Sequence, residues 1–413
     1  MVASPSRTII HIDLDAFFCA VEELNHPELC GRAFAVGGRP EERGVVASCS
    51  YAARKFGIRS AMPMSRALRL CPDLIIISSH HGNYSKVSRQ VMECIHRLTT
   101  QVEQISIDEA FLDVTGLPGS SAQIARDLQA TIRNELGLPC SLGVASNKLV
   151  AKIATDVGKA SARKQKAPDE VPQDTLSLSV YPNAITVVPS GEEAEFLAPL
   201  PVEMLWGVGP KTAARLAELG VNTIGDLARR PEGELKRLFG KSGLEMAAHA
   251  RGLDDSPIVT QYEAKSISQE TTFARDVRNQ QVLQETLQGL SGQVGRRLRH
   301  SGLQGSTVKI KVRWPDFTTL TRQVTLPQPT DQDSQIFTAA FQLFIQVWSP
   351  GKAVRLIGVG VSGLGRAIRQ LSLWDETYER EHRLNAAIDS LWDKFGYGII
   401  QRGGVKSRGA PEK

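Results

Sequence analysis

SIDEAFLDV, residues 106–114, and IIHIDLDAFF, residues 9–18, both place carboxylates within runs that otherwise resemble buried strands. The carboxylates are Asp108, Glu109 and Asp113 in the later run and Asp13 and Asp15 in the earlier one. Buried charges are costly unless a cation compensates them, and oxygens brought together from two strands are ligands that a hard divalent cation prefers. The two runs therefore predict a metal site on adjacent strands. For the earlier run alone, a solvent-exposed edge strand is the alternative.

Length and composition predict a soluble globular protein of several domains. The chain has 413 residues, which suggests roughly three or four domains. Its 41% hydrophobic and 23% charged residues are typical of soluble proteins. The net charge of +5 is small, but between residues 296 and 322 seven Lys and Arg residues accompany a single acid, Asp316. A basic surface of this kind suits a phosphate backbone.

The cysteines and the N-terminus indicate a reducing compartment. All six cysteines lie within the first 140 residues and none are spaced as Cys-x-x-Cys, which argues against a zinc ribbon or a disulfide framework. The sequence shows neither a signal peptide nor an apolar run approaching the roughly 20 residues of a membrane span. We therefore expect a cytoplasmic protein without a membrane segment.

The first 190 residues predict an α+β sheet with its helices on one face, as in ferredoxin-like folds. Residues 8–17 alternate as a strand with its aspartates on one side. Helical periodicity follows at residues 84–100 and 121–136, and a further helix should run through Val157 after a strand at 141–145. Residues 160–183 are polar and contain three prolines, which predicts a long loop.

Tyr51 and Arg54 form a candidate anion site. They lie three residues apart where a helix should begin, so both side chains can share a face at its N-terminus, where anions bind. This pair suits a polyphosphate. A surface arginine beside a packed tyrosine is the alternative.

Residues 192–252 predict a small helical unit centred on LWGVGPKTAARLAELG. Its glycines, Gly207 and Gly209, allow close approach of a phosphate, Pro210 suits a first helical position and Lys211 adds a charge. These features favour a helix-hairpin-helix grip on nucleic acid. A capping turn without a ligand is the alternative.

Residues 254–264 resemble a linker, and a basic sheet domain follows. Residues 307–314 alternate strictly, with Lys309, Lys311 and Arg313 on one face. Arg296 and Arg297 precede them at the end of a predicted helix. An all-cationic strand face favours contact with DNA. The tail contains QLSLW, residues 370–374, and then an apolar helical stripe.

In their order along the chain, six motifs resemble those of Y-family translesion DNA polymerases of the DinB or polymerase IV type. The motifs are IIHIDLDAFFCAVEE, the YAARKFG run, SIDEAFLDV, the GVASNKLVAKIATD run, GVGPKT and the KSISQETTF run. The resemblance covers roughly residues 7–374. It implies a template-directed, low-fidelity DNA polymerase that uses two Mg²⁺ ions, primed template DNA and dNTPs, and that acts as a monomer.

The resemblance also implies roles for particular residues. Asp13, Asp108 and Glu109 would be catalytic and would bind the metal ions together with the Leu14 carbonyl. Because Asp108 and Glu109 would face opposite sides of a straight strand, a tight turn at this pair is required. Phe18 would exclude a ribose 2′-hydroxyl. This role depends on the resemblance, because a Phe-Phe pair in such a sequence is more often part of a core. Tyr51, Arg54 and Lys159 would bind the triphosphate.

The implied domains are a ferredoxin-like palm, fingers, a helix-hairpin-helix thumb and an α+β little finger. The palm would comprise residues 1–17 and 82–190, the fingers 18–81, the thumb 191–253, the linker 254–264, the little finger 265–366 and the tail 367–413. Two features depart from the family pattern. About twenty extra residues follow Lys159, and Trp374 replaces a phenylalanine in a peptide similar to sliding-clamp ligands, here Gln370, Leu371, Leu373 and Trp374.

Two other classes of protein fit parts of the pattern. A catalytically silent DNA-binding factor recruited to the clamp would use the same basic surfaces, but it would not need Asp13, Asp108 and Glu109. A nucleotide cyclase would need an acidic sheet, but neither the helix-hairpin-helix nor the basic domain.

Overall fold

The computed structural model describes residues 7–165, 180–366 and 376–396. The chain divides into two compact units, residues 1–40 with 44–262 and residues 41–43 with 263–413. No helix within the described ranges combines the length and apolar character that crossing a membrane requires.

The first unit is a mixture of short strands and helices. Its strands are β1 (Ile9–Leu14), β2 (Phe34–Gly37), β3 (Val46–Cys49), β4 (Ile75–Ile77), β5 (Val102–Gln104), β6 (Glu109–Asp113), β7 (Cys140–Ala145) and β8 (Ile185–Val187). Its helices are α1 (Phe17–Asn25), α2 (Tyr51–Lys55), α3 (Met64–Leu70), α4 (His81–Leu98), α5 (Ser121–Leu136), α6 (Lys148–Gln165), α7 (Glu193–Leu197), α8 (Pro210–Glu218), α9 (Ile224–Ala228), α10 (Glu232–Phe239) and α11 (Lys241–His249).

The main sheet of this unit has the strand order β5-β6-β1-β7-β8. The central strand β1 pairs antiparallel with β6 and β7, and this register sets Asp13 opposite Glu109 on one side and Ser141 on the other. The α+β fold class is therefore confirmed, and β1 carries the alternation that the sequence predicts.

Helices cover both faces of the main sheet, so the expectation of helices on one face is wrong. Ile10, Ile12 and Leu14 of β1 belong to a core that includes buried residues of α4 and α5. Ile9 belongs instead to a second core with apolar residues of α6. Because side chains alternate along a strand, the face that carries Asp13 is the one that α6 covers.

A glycine in β7 allows α6 to lie close to the sheet. A Cβ atom on Gly143 would lie 2.0 Å from the carbonyl oxygen of Ala151 and 2.6 Å from the nitrogen of Thr155, both in α6. Real Cβ atoms do not approach other atoms this closely, so only glycine permits this helix position. The separation of α6 from β1 and β7, and thus the reach of its polar side chains, depends on Gly143.

Two further parts of the first unit each fall within a single segment of the chain. A three-stranded sheet of order β3-β2-β4 packs with α2 and α3 around its own small core, within the segment 18–81. Helices α7 to α11 lie within the segment 192–252, as the helical prediction requires. Helix α6, in contrast, continues to Gln165, so residues 160–165 are helical where the sequence predicts a loop.

The second unit is a four-stranded sheet with helices. Its described elements are β9 (Ser266–Val277), α12 (Gln280–His300), β10 (Leu303–Arg313), β11 (Thr319–Thr330), α13 (Asp333–Val347), β12 (Val354–Arg366) and α14 (Glu376–Phe395). The strand order is β11-β10-β12-β9. Val308, Ile310 and Val312 of β10 pack in one core with apolar residues of α12 and α13. The opposite side of β10 carries Lys309, Lys311 and Arg313.

A buried ion network joins the tail helix α14 to α12 and α13. The Arg299 guanidinium donates to Asp333 at 2.8 Å and to Asp389 of α14 at 2.7 Å. It also donates to the carbonyl of Asp331 at 2.7 Å. The side chain of Arg299 is only 8% exposed, so its charge is compensated within the interior by the carboxylates of Asp333 and Asp389. The tail helix is thereby part of the second unit.

Candidate active site

The predicted acidic residues lie together at one corner of the main sheet. Asp13 is near the end of β1, and its register partner Glu109 is the first residue of β6. Asp108 directly precedes β6, and its carbonyl accepts a hydrogen bond from the Leu14 N–H at 3.0 Å. Pairing of the two strands therefore brings together carboxylates that are far apart in the sequence.

A bend at residues 106–108 gives Asp108 and Glu109 their relative orientation. The Ser106 hydroxyl oxygen accepts from the N–H groups of Asp108 at 3.2 Å and Glu109 at 3.0 Å. The same hydroxyl donates to the Asp108 carboxylate at 2.5 Å. The turn that the sequence requires at this pair is present. Burial raises the pKa of Asp108, and the neighbouring Asp13 and Glu109 add to that effect.

Two lysines of α6 neutralise the acidic corner in this structure. The Lys152 ammonium lies 2.6 Å from Glu109, and the Lys159 ammonium lies 2.5 Å from Asp13 and 3.2 Å from Asp15. Burial would lower the pKa of Lys159, but Asp13 and Asp15 outweigh burial and raise that pKa. The predicted nucleotide-binding Lys159 is thus placed directly beside the predicted metal ligands.

A buried histidine completes the environment of Glu109. His11 Nδ1 lies 2.9 Å from the Thr155 hydroxyl of α6, and Nε2 lies 3.5 Å from the Glu109 carboxylate. Burial lowers the pKa of His11. For Glu109, burial alone would raise the pKa, but His11 and Lys152 outweigh it and lower that pKa to about 2. Glu109 is therefore held ionised.

Asp15 has a different environment from the other carboxylates. It is fully buried and accepts hydrogen bonds from the Ser141 hydroxyl at 2.9 Å and the Asn183 N–H at 3.1 Å. Burial raises the pKa of Asp15. These contacts hold the chain at residue 183 against the sheet. A structural role of this kind agrees with the absence of Asp15 from the predicted metal ligands.

The oxygen atoms at this corner are of the kinds that bind magnesium, but in this structure they do not form a complete metal site. Asp13, Asp108 and Glu109 offer carboxylate oxygens and Leu14 offers a carbonyl, which are the hard ligands that Mg²⁺ prefers. Over the described residues, no group of three or more His, Cys, Asp or Glu side chains has an arrangement that could hold a metal ion. Asp13 and Glu109 are each paired with a lysine instead.

Two of the predicted triphosphate-binding residues, Tyr51 and Arg54, share one surface. Ser50 caps helix α2 by accepting from the Ala53 N–H, and Tyr51 is the first residue of that helix. The Arg54 guanidinium carbon lies 4.6 Å from the centre of the Tyr51 ring, and its Nε donates to the Cys49 carbonyl at 3.3 Å. The pair therefore lies on one helix face, as its spacing predicts.

Phe18 is half-buried and stacks on Tyr84, with ring centres 4.3 Å apart and planes inclined by 13°. The rings of Phe17 and His81 lie 5.7 Å and 6.3 Å from its centre as well. This arrangement is compatible with both interpretations of Phe18, a core residue and a steric barrier.

Lys152, His11 and Ser106 are site residues that the sequence interpretation did not identify. A signal for Lys152 existed, because Lys152, Thr155 and Lys159 are spaced three and four residues apart and so share one face of α6. Ser106 had the signal of a short polar residue two positions before Asp108, where it can form a turn. His11 lies two residues before Asp13 on β1, so the two side chains share one face of the sheet.

The predicted phosphate grip in the helical segment has the expected local geometry. Gly207 has a φ of +96°, which favours glycine, and Gly209 is the N-cap of α8 with Pro210 as its first residue. A Cβ on Gly209 would meet nothing within 4 Å, so the turn is open on that side. Lys211 is exposed in the first turn of α8.

The second unit separates the predicted DNA-binding residues into two sets. Lys309, Lys311 and Arg313 lie on the open side of the sheet, where Lys311 pairs with Glu270 at 2.8 Å. Arg296 and Arg297 lie on α12, which packs on the opposite side. Arg296 forms an ion pair with Asp393 of α14, and Arg297 donates to the Ser268 carbonyl at 2.9 Å. The two sets therefore do not form one surface, contrary to the sequence interpretation.

Glycines in the neighbouring strand let the side chains of β9 lie close to the strand cations. Gly358 and Gly360 of β12 are the register partners of Lys311 and Lys309. A Cβ on Gly358 would lie 2.8 Å from the Cβ of Glu270, so this glycine allows Glu270 to reach Lys311 across β12. The predicted clamp peptide, Gln370, Leu371, Leu373 and Trp374, lies outside the described residues.

Comparisons with known proteins agree along most of the chain. Residues 12–156 match the impB/mucB/samB family, residues 264–373 match the C-terminal domain of that family, and residues 190–221 match its helix-hairpin-helix motif. The DNA polymerase IV of Desulfatibacillum aliphaticivorans is 42% identical over 95% of each chain. That of Listeria monocytogenes is 41% identical over 87% of this chain and 96% of the relative.

Solved structures show the same fold. A chimera of the Y-family DNA polymerases Dbh and Dpo4 matches with a TM-score of 0.75 at 24% identity, covering 87% of this chain and 99% of the chimera. An insertion ternary complex of Dbh DNA polymerase matches with a TM-score of 0.58 at 24% identity and the same coverage.

Proposed function

Because the chain belongs to the impB/mucB/samB family of Y-family DNA polymerases and is a DNA-directed DNA polymerase, we propose that it copies damaged template bases with low fidelity. The proposed reaction transfers a nucleotide from a dNTP to a primer 3′-hydroxyl. The observation that carries the proposal is the corner where Asp13, Asp108 and Glu109 meet Lys152 and Lys159.

The acidic corner would hold the catalytic metal ions. Asp13, Asp108, Glu109 and the Leu14 carbonyl are the proposed ligands of two Mg²⁺ ions. Bound there, two such ions would activate the primer hydroxyl and stabilise the pyrophosphate leaving group. Ser106 fixes the bend that orients Asp108 and Glu109, and His11 with Lys152 keeps Glu109 ionised.

The protein's own cations would receive the triphosphate. Lys159 forms ion pairs with Asp13 and Asp15, and the Arg54 guanidinium, which lies against the Tyr51 ring, is a second cation. We assign the triphosphate to Lys159, Tyr51 and Arg54, and the sugar to a position against the Phe18 ring. A phenyl ring there would leave no room for a ribose 2′-hydroxyl.

Each unit has proposed contacts to the phosphate backbone of DNA. Gly207, Gly209 and Lys211 present an open helix start, which suits a backbone phosphate. Lys309, Lys311 and Arg313 present the basic strand face of the second unit. Arg296 and Arg297 are excluded from that face because they lie on the other side of the sheet. One matched structure is a ternary complex of a DNA polymerase, which supports primed template DNA and dNTP as substrates.

A sliding clamp is a further proposed partner, through residues 370–374. The support is the sequence QLSLW, which retains an aromatic residue at its end.

Running-start primer extension tests the proposal. The template carries one abasic site, the reaction contains Mg²⁺ and four dNTPs, and an undamaged template is the control. We expect products longer than the lesion position, and no products from Asp108→Asn. Extension that stops at the abasic site and at every other lesion tried would refute lesion bypass, and failure on the undamaged template would refute the enzyme assignment for this chain.

A further inference from the structure

The C-terminal end of α6 brings an additional arginine to the proposed triphosphate site. Helix α6 continues for six residues past Lys159, into the stretch where the sequence departs from the family pattern. Arg163 lies in this extension. Its Nη2 donates to the Tyr51 hydroxyl at 3.3 Å, and its guanidinium carbon lies 5.4 Å from the centre of the Tyr51 ring.

The position of Arg163 follows from helical spacing. Lys159 and Arg163 are four residues apart, so they lie on the same side of α6. Lys159 reaches Asp13 and Asp15 from this side, and Arg163 extends the same row by one turn, toward α2. The row of cations therefore leads from the acidic corner to Tyr51.

Arg54 and Arg163 lie against the same aromatic ring, that of Tyr51. Their guanidinium carbons lie 4.6 Å and 5.4 Å from the same ring centre. In the described part of the chain, neither arginine forms an ion pair with an Asp or Glu. Two cations near one ring repel each other, and an anion that contacts both guanidinium groups would offset the repulsion. Arginine also matches phosphate oxygens with parallel N–H donors.

We propose that Arg163 binds the triphosphate of the incoming deoxynucleotide, together with Tyr51, Arg54 and Lys159. This inference rests on the proposed function, because it assigns a further residue to the same nucleotide site. Arg163 is exposed, so its donors are accessible from solvent. The Tyr51 hydroxyl orients the guanidinium before the nucleotide arrives.

A structural role is the competing explanation for Arg163. It belongs to the last turn of α6, where a positive charge stabilises the carbonyl end of the helix dipole. Lys164 occupies the same turn and is exposed as well. Lys164→Gln therefore removes an equal charge from the same helix end without removing the contact to Tyr51, which makes it the matched control.

The test is steady-state incorporation of one nucleotide opposite an undamaged base by the full chain. For Arg163→Gln we expect the KM for dNTP to rise about ten-fold, or about 1.4 kcal/mol, with kcat changed by less than about two-fold. Arg163→Lys should recover part of the affinity, because it keeps the charge but loses the paired donors. The KM for pyrophosphate in the reverse reaction should rise with Arg163→Gln as well. Thermal unfolding of each variant checks folding.

The outcomes separate this inference from the proposed function. An active wild type whose KM for dNTP and for pyrophosphate is unchanged in Arg163→Gln would overturn the inference and leave the polymerase assignment intact. An equal rise of KM in Lys164→Gln would also overturn it, because the effect would then come from charge at the helix end. A wild type that extends no primer would overturn both.

Discussion

Replacing Gly143 by alanine should separate α6 from the sheet and so disturb the acidic corner. The added Cβ would lie 2.0 Å from the Ala151 carbonyl oxygen and 2.6 Å from the Thr155 nitrogen. Both atoms belong to the backbone of α6, so no side-chain rotation relieves the overlap. Lys152 and Lys159 are carried by this helix and would move with it.

The size of the effect follows from the required displacement. Reaching the shortest tolerated separation of 3.0 Å requires a shift of the helix by about 1 Å. Overpacking of this kind costs roughly 1–3 kcal/mol of unfolding free energy. A misplacement of about 1 Å can lower a catalytic rate about 100-fold. We therefore expect Gly143→Ala to be folded, less stable and strongly impaired in nucleotide incorporation.

Urea unfolding and single-nucleotide incorporation measure the two effects. Gly82→Ala is the matched control, because Gly82 lies in α4 and a Cβ there would meet nothing within 4 Å. Alanine at that helical position should leave activity unchanged and stabilise the fold by up to about 1 kcal/mol. Wild-type stability together with wild-type activity for Gly143→Ala would refute the argument that close approach of α6 builds the site.

Three further predictions concern the sugar, the tail helix and the clamp. Phe18→Ala should increase ribonucleotide incorporation by about ten-fold or more in competition assays, and unchanged sugar discrimination would contradict the assignment of Phe18. Arg299→Met should lower the unfolding free energy by about 3–5 kcal/mol, because the buried carboxylate of Asp389 loses this ion-pair partner, whereas the exposed Arg297→Met should change it by less than about 1 kcal/mol. Similar urea midpoints for these two variants would exclude the buried network as a source of stability. Deletion of residues 370–374 should preserve distributive synthesis but remove stimulation by a sliding clamp, and equal stimulation of both proteins would reject the peptide as a clamp ligand.

The acidic corner was predictable because its signals are local. Alternation along residues 8–17 indicates β1 and places Asp13 on the polar side. A turn before Glu109 follows from the need for Asp108 and Glu109 to point the same way, and Ser106 supplies it. The pairing of Asp13 with Glu109 depends on strand register, which periodicity does not give. The resemblance to Y-family polymerases implied only that these residues share one site.

The environment of that corner was less predictable, because it depends on how α6 crosses the sheet. Lys152 and Lys159 reach Glu109 and Asp13 only since α6 lies on the face opposite α4 and α5. Periodicity gives the apolar stripe of a helix, but not the sheet face on which that stripe packs. The predicted end of α6 was also too early, although Ala160 and Ala162 are strong helix formers.

The second unit shows the same limit of prediction from sequence. Arg296 and Lys309 are close in sequence, and both belong to a basic region, but packing of α12 on one side of β10 puts them on opposite sides of the sheet. The contact of α14 with Arg299 depends on Asp389, ninety residues away along the chain. Charge clustering in a sequence does not show which side of a sheet each charge occupies.

Single-nucleotide incorporation by carboxylate variants tests the central claim most directly, which is that Asp13, Asp108 and Glu109 form one catalytic site. We predict that Asp108→Asn incorporates no detectable nucleotide in the presence of Mg²⁺, while Asp113→Asn, at the far end of the same strand, retains wild-type incorporation. Equal activity of Asp108→Asn and the wild type would contradict the claim.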